Sequence, residues 1–153
     1  MILIKNQQRK IAIDLKKLKT DAQQILAALK YADFDLGILV TTNATIRKYN
    51  RDFRHKDKPT DILSFPAHPA LQAGKRIKVQ SDDDKNMGNL IISAEYVVKD
   101  ADKLNVTLAE RLEVLLVHGI CHLLGYDHIE DADWRRMRAK EAILLKKLRE
   151  KKT

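Results

Sequence analysis

The run His118-Gly119-Ile120-Cys121-His122-Leu123-Leu124-Gly125-Tyr126-Asp127-His128 holds three of the chain's five histidines. The apolar residues around the first two predict a helix. An offset of four puts both imidazoles on one helical face, one turn apart. Gly125 predicts the end of that helix and lets the chain fold back, bringing His128 to the same point. Three imidazole nitrogens with a fourth position left for water form the donor set of a catalytic zinc site. One zinc ion per chain is therefore expected on His118, His122 and His128.

The same three histidine offsets, with the same glycine, occur in the longer metzincin signature, where a glutamate after the first histidine serves as general base. Here that position is Gly119. The two-ligand helix is present without the peptidase's base. A zinc metallopeptidase becomes the weaker reading, while a hydrolase survives, because a metal alone brings the pKa of its water to about 7. Cys121 lies one turn after His118. A thiolate there would close the open position, so Cys121 is expected to be a small core residue.

Several elements must position these side chains. Ile2 to Asn6, Phe34 to Thr41, Thr60 to Phe65 and Met87 to Ser93 read as strands. Leu18, Ala22, Ile25, Leu26 and Leu29 recur at helical spacing after a cap at Asp14 or Thr20. Thr42 or Asn43 caps a second helix, and Ser93 caps a third from Ala94 to Leu104. Thr107 and Glu110 form a capping box that opens the histidine helix, which is apolar nearly all round and so central and buried. A last helix starts near Asp131 or Asp133, packing through Trp134, Met137, Leu144, Leu145 and Leu148. His68 to Asn86 reads as a loop or hairpin extension, with Asp82, Asp83 and Asp84 in a solvated turn. This order predicts an α+β fold, a small mixed β-sheet of about four strands covered by helices, with a buried central helix carrying the metal ligands. A length of 153 residues suits a single domain over residues 1–153.

The net charge of +8 and the sequence pI near 9.6 favour an anionic partner, nucleic acid before others. Arg51, Arg54, Lys56 and Lys58 cluster before Pro59, in a stretch expected to be a connection facing phosphates. No apolar run approaches the ~20 residues that span a bilayer. The N-terminus lacks the apolar centre of a signal peptide, and Cys121 is the single cysteine. No membrane association and a cytoplasmic location are expected.

Three blocks together resemble the YbeY family of bacterial endoribonucleases. They are the histidine block, the segment from Asn50 through Phe53, Arg54, Pro59, Thr60, Asp61 and Ser64 to Phe65, and Met87-Gly88-Asn89-Leu90-Ile91-Ile92-Ser93. The resemblance implies a zinc-dependent, single-strand-specific endoribonuclease. It implies a role in ribosomal RNA maturation, including the 3′ end of the small-subunit RNA, and in ribosome quality control. RNA and the ribosome or its small subunit are the implied partners. His118, His122 and His128 would be the metal ligands and Arg54 the catalytic arginine; Arg51, Lys56 and Lys58 are expected to bind RNA on the ground of their charge. Asn89 stands where the family usually carries aspartate. A noncatalytic ribosome-biogenesis factor whose metal only holds the fold is a further alternative to the nuclease. His55, Asp61, Tyr126 and Asp127 are all open as general base, and attack by water or by the RNA 2′-hydroxyl is equally open. Asp127 is expected to orient a ligand histidine or to cap the next helix.

Overall fold

The computed structural model describes residues 1–150. Four strands form one sheet in the order β1, β2, β4, β3. Strands β1 (Ile2–Asn6), β2 (Asp35–Thr41) and β4 (Asn86–Ser93) run parallel, and β3 (Ile62–Pro66) pairs antiparallel with β4 at the far edge. The helices are α1 (Leu15–Ala28), α2 (Asn43–Arg54), α3 (Ala94–Leu104), α4 (Leu108–Leu123) and α5 (Asp131–Glu150). The expected α+β architecture is the observed one.

Alternation along β4 sorts the two faces of the sheet. Leu90 and Ile92 point into the main core with Leu116, Ile120 and Leu123 of α4, whereas Ile91 joins Ile46 and Leu63 in a smaller cluster under α2. Helix α4 is the hub. It packs against α1, α3, α5, β3 and β4, and its buried residues cover most of its circumference. Its start is the Thr107–Glu110 capping box, with Glu110 donating its backbone N–H to the Thr107 hydroxyl at 3.1 Å. Asp14, Thr42 and Ser93 cap α1, α2 and α3 in the same way.

Three expectations need correction. Strand β3 begins at Ile62, not Thr60, because the Asp61 carboxylate accepts the Ile62 backbone N–H at 2.7 Å and competes with the ladder. Arg51 and Arg54 are helical: α2 runs on through Arg54 and ends where His55 adopts the left-handed conformation at φ 59°. His55 to Asp61 form the connection. Trp134 is no packing residue, since it is 48% exposed on α5. Of the loop or hairpin extension expected from His68 to Asn86, the loop is what forms. The chain from 67 to 85 is a loop with one 3-10 turn at Asp82–Asp84. Arg76 fastens this loop by donating to the Leu29 and Lys30 carbonyls at 2.7 and 2.9 Å while lying over the Tyr31 ring.

A histidine-lined cleft at the edge of the sheet

The last turns of α4 carry His118 and His122 to a cleft of about 950 Å3. Strand β3 forms one wall. The 67–85 loop forms another, through Pro69 to Ala73, and the segment after α4 brings Tyr126, Asp127 and His128. Gly125 makes this fold-back possible. Its φ is +88°, and an added Cβ would strike the Leu71 carbonyl oxygen. The glycine thus ends the helix and lets the loop close over it.

His118 and His122 meet Nε2 to Nε2 at 3.1 Å. Two imidazole nitrogens facing each other this closely repel unless a proton or cation lies between them. Two ligands of one tetrahedral zinc ion at ~2.0–2.1 Å stand ~3.3 Å apart, close to the observed separation. The ring centres of the three histidines lie 4.5, 5.4 and 6.1 Å from one another. Three imidazoles on one such ion place their centres ~5 Å apart. Among the described residues no three such side chains already close around one point. His128 is the exposed member, and its ring lies farther from the other two than they lie from each other. In chemistry the three imidazoles are a donor set that zinc takes.

Glu141 of α5 completes the arrangement. Its Oε2 lies 2.9 Å from His118 Nδ1. With Nδ1–H donating to this carboxylate, Nε2 is the ring nitrogen left for the cleft. This is how a carboxylate orients a metal-binding histidine. Burial, and then the neighbouring His118, lower the His122 pKa from 6.5 to about 4, so that ring is neutral and available as a donor. Cys121 is fully buried, and burial pushes its thiol up to about 12. It is a core residue beside the site and not a thiolate.

The predicted basic residues divide. Arg54 lines the cleft, whereas Arg51, Lys56 and Lys58 are exposed beyond its walls. Helix α2 covers the opposite face of the sheet. Because it ends beside the edge strand β3, Arg54 reaches around that edge to the histidine side. Asp57 is held by Arg47 at 2.8 and 3.2 Å, and among the described residues Arg54 has no carboxylate partner. Arg51 pairs with its neighbour Asp52 at 3.0 Å.

Among the open candidates for the base, His55 stands outside the cleft wall. Tyr126 lies in it, but burial raises its pKa, which makes it a donor and not a base. Asp61 and Asp127 both line the cleft. Asp127 accepts the Ile129 backbone N–H at 3.3 Å, which shapes a turn; the carboxylate that orients a histidine is Glu141 instead. Asn89 faces away from the histidines, on the α2 side of the sheet beside Gly37, so its amide does not bear on them. Gly119 explains why no peptidase base occurs here. A Cβ at this position would lie 2.7 Å from Ile62 Cδ1 and 2.9 Å from Leu90 Cδ2, inside the sheet contact and not in the cleft.

Sequence reasoning missed Glu141, Arg136 and Ser64. Arg136 and Ser64 line the cleft, and the Ser64 hydroxyl donates to the Gly119 carbonyl at 3.3 Å, tying β3 to α4. Glu141 was detectable. It shares the helical stripe of Met137, Leu144 and Leu148, and a carboxylate on a buried stripe needs a partner.

The fold and the cleft define a small α+β protein with two histidines on its central helix and a third just after it. The particular family follows from comparison with known proteins. The family model of Endoribonuclease YbeY matches residues 3–149. The chain is similar to Endoribonuclease YbeY of Homo sapiens, at 37% identity over 147 residues, covering 96% of this chain and 87% of that one. It is similar to Endoribonuclease YbeY of Geobacter metallireducens at 38% identity over 142 residues, covering 92% and 90%. The solution structure of a Thermotoga maritima protein superposes with a TM-score of 0.63 at 25% identity, covering 97% of this chain and 89% of that one. The chain belongs to the YbeY family of endoribonucleases.

Proposed function

We propose that this protein is a zinc-dependent endoribonuclease that cuts single-stranded RNA in the cytoplasm. In this reading it works with the ribosome or its small subunit, maturing ribosomal RNA, including the small-subunit 3′ end, and removing defective ribosomes. The observation that carries the chemistry is the pair of Nε2 atoms at 3.1 Å, one fixed by Glu141, at the floor of a cleft that also holds Arg54. Family membership supports the RNA substrate.

His118, His122 and His128 would hold the ion. When bound, zinc supplies Lewis-acid chemistry at a phosphate oxygen and makes a nearby water more acidic. Arg54 grips a nonbridging oxygen of the scissile phosphate with its planar guanidinium, neutralising charge as it builds up. Asp61 and Asp127, two of the carboxylates that line the cleft, would take a proton from the attacking hydroxyl, whether of water or of the ribose. Tyr126, held protonated, can donate a hydrogen bond to the departing oxygen. Arg51, Lys56 and Lys58 bind phosphates farther along the strand, and this binding weakens with salt. Single strands are favoured because a flexible backbone can bend over the edge of β3 to reach the recessed histidines.

The test is cleavage of matched single-stranded and duplex RNA by metal-loaded protein, with His118→Ala as control. The expected result is cutting of the single strand alone, abolished in the variant. Equal cutting by His118→Ala, or no cutting of either RNA, overturns the reading.

A further inference from the structure

Trp134 is the one tryptophan of the chain, and it stands 48% exposed. A large indole left in solvent on an otherwise amphipathic helix has no packing reason to be there. It borders a second groove, of about 550 Å3, between α4 and α5. His118 and His128 line this groove as well as the main cleft, so the two recesses meet at the histidines. The guanidinium of Arg138 lies over the indole, 4.9 Å from the ring centre. Arg135, Arg136, Arg138 and Lys140 follow Asp131 and Asp133 along α5, so the cations stand beyond its acidic first turn. Glu141 is the one acid among the residues lining the groove, and His118 engages it.

An exposed aromatic plane, an arginine against it and direct continuity with the reactive centre are the parts of a stacking platform for an unpaired nucleobase. We infer that Trp134 and Arg138 form a nucleotide subsite that stacks one base of single-stranded RNA next to the scissile phosphate. The inference rests on the ribonuclease reading and adds to it a route for the strand. The chain of nucleotides passes Arg54 at the edge of β3, crosses the histidines, and leaves over the first turns of α5. Arg138 lines the groove, and Arg136 lines the cleft, where Asp133 lies 3.9 Å from its guanidinium. Duplex RNA cannot use the platform, because its bases are already stacked on one another. The subsite thus contributes to strand selectivity without reading sequence, since every base has a flat face.

Trp134 reports on its own occupancy. Stopped-flow tryptophan fluorescence of the metal-loaded full chain mixed with a single-stranded oligouridylate should show quenching that saturates with binding. Trp134→Ala should raise KM about tenfold, within the roughly 5- to 150-fold expected from losing one stacked base, with kcat changed less. Trp134→Tyr should recover most of that loss. Its melting temperature should match that of the parent, because the half-exposed indole leaves no core cavity when it is trimmed. The decisive arm scans one abasic nucleotide along the oligomer. At one position beside the cut, the abasic site should raise KM for the parent and have no further effect on Trp134→Ala. If the parent cuts RNA but Trp134→Ala has the same KM and the same abasic profile, the platform is rejected and the ribonuclease stands. If the parent neither binds nor cuts RNA, the ribonuclease reading falls and the platform falls with it.

Discussion

Removing the Glu141 carboxylate should weaken metal binding while leaving every histidine in place. Its Oε2 lies 2.9 Å from His118 Nδ1, and the side chains of His118 and Glu141 are 31% and 18% exposed, so water competes little for this hydrogen bond. The carboxylate keeps the proton on Nδ1 and makes Nε2 a better donor. Removing such a partner costs 10- to 100-fold in metal affinity, or about 1.4–2.7 kcal/mol. Glu141→Gln keeps an amide oxygen that can accept from Nδ1–H but loses the charge, so about tenfold is expected. Glu141→Ala frees the ring to rotate and should approach a hundredfold. Competition for zinc with a chelating dye measures both affinities, and unfolding melts of the metal-free proteins separate loss of the site from loss of the fold. Zinc affinity unchanged in both variants would refute the role given to Glu141 and the orientation of His118 that depends on it.

Arg54→Ala should retain its metal and melting temperature and lose about 10- to 100-fold in the rate of RNA cleavage, with Arg54→Lys recovering only part, because an ammonium lacks the planar fork; a wild-type rate in Arg54→Ala rejects its phosphate contact. The His122 pKa, lowered from 6.5 to about 4, has a consequence for metal-free protein. Between those values the unfolded chain binds the proton and the folded chain does not, so this contribution to stability is complete above pH 6.5 and is lost as pH falls toward 4. The full shift is worth ~3 kcal/mol, and solvent reaching the ring reduces it to about 1–2 kcal/mol. Thermal melts at pH 7.5 and 4.5 should therefore converge for His122→Asn relative to its parent by a few degrees, and identical pH dependence in the two proteins contradicts the shift.

The fold was legible because its signals are local. Caps at Thr42, Ser93 and Thr107, the stripe from Leu18 to Leu29, and the apolar strand runs each state one element, and their order restricts the layers. The histidine cluster was legible because its spacing lies within one helix and one turn. What escaped depends on contacts between distant elements. Glu141 lies 23 residues beyond His118, and only the packing of α5 on α4 brings them together. Arg54 looked like a loop residue because the positive φ at His55, which marks the true end of α2, carries no signature in a histidine. The spacing of Trp134 matches its helix's apolar stripe, and periodicity alone cannot tell a core tryptophan from one that faces a groove.

The central claim is that a three-histidine metal centre in this cleft cuts RNA, and zinc titration of metal-free protein tests it directly. Cleavage of a single-stranded oligoribonucleotide is followed as zinc is added in fractions of one equivalent. The account predicts no cutting before addition, a linear rise, and a plateau at about one zinc per chain, with X-ray absorption showing three histidine nitrogens at ~2.0–2.1 Å. His122→Ala should show neither the rise nor that coordination. Full activity in chelated, metal-free protein, or an unchanged titration in His122→Ala, would contradict it.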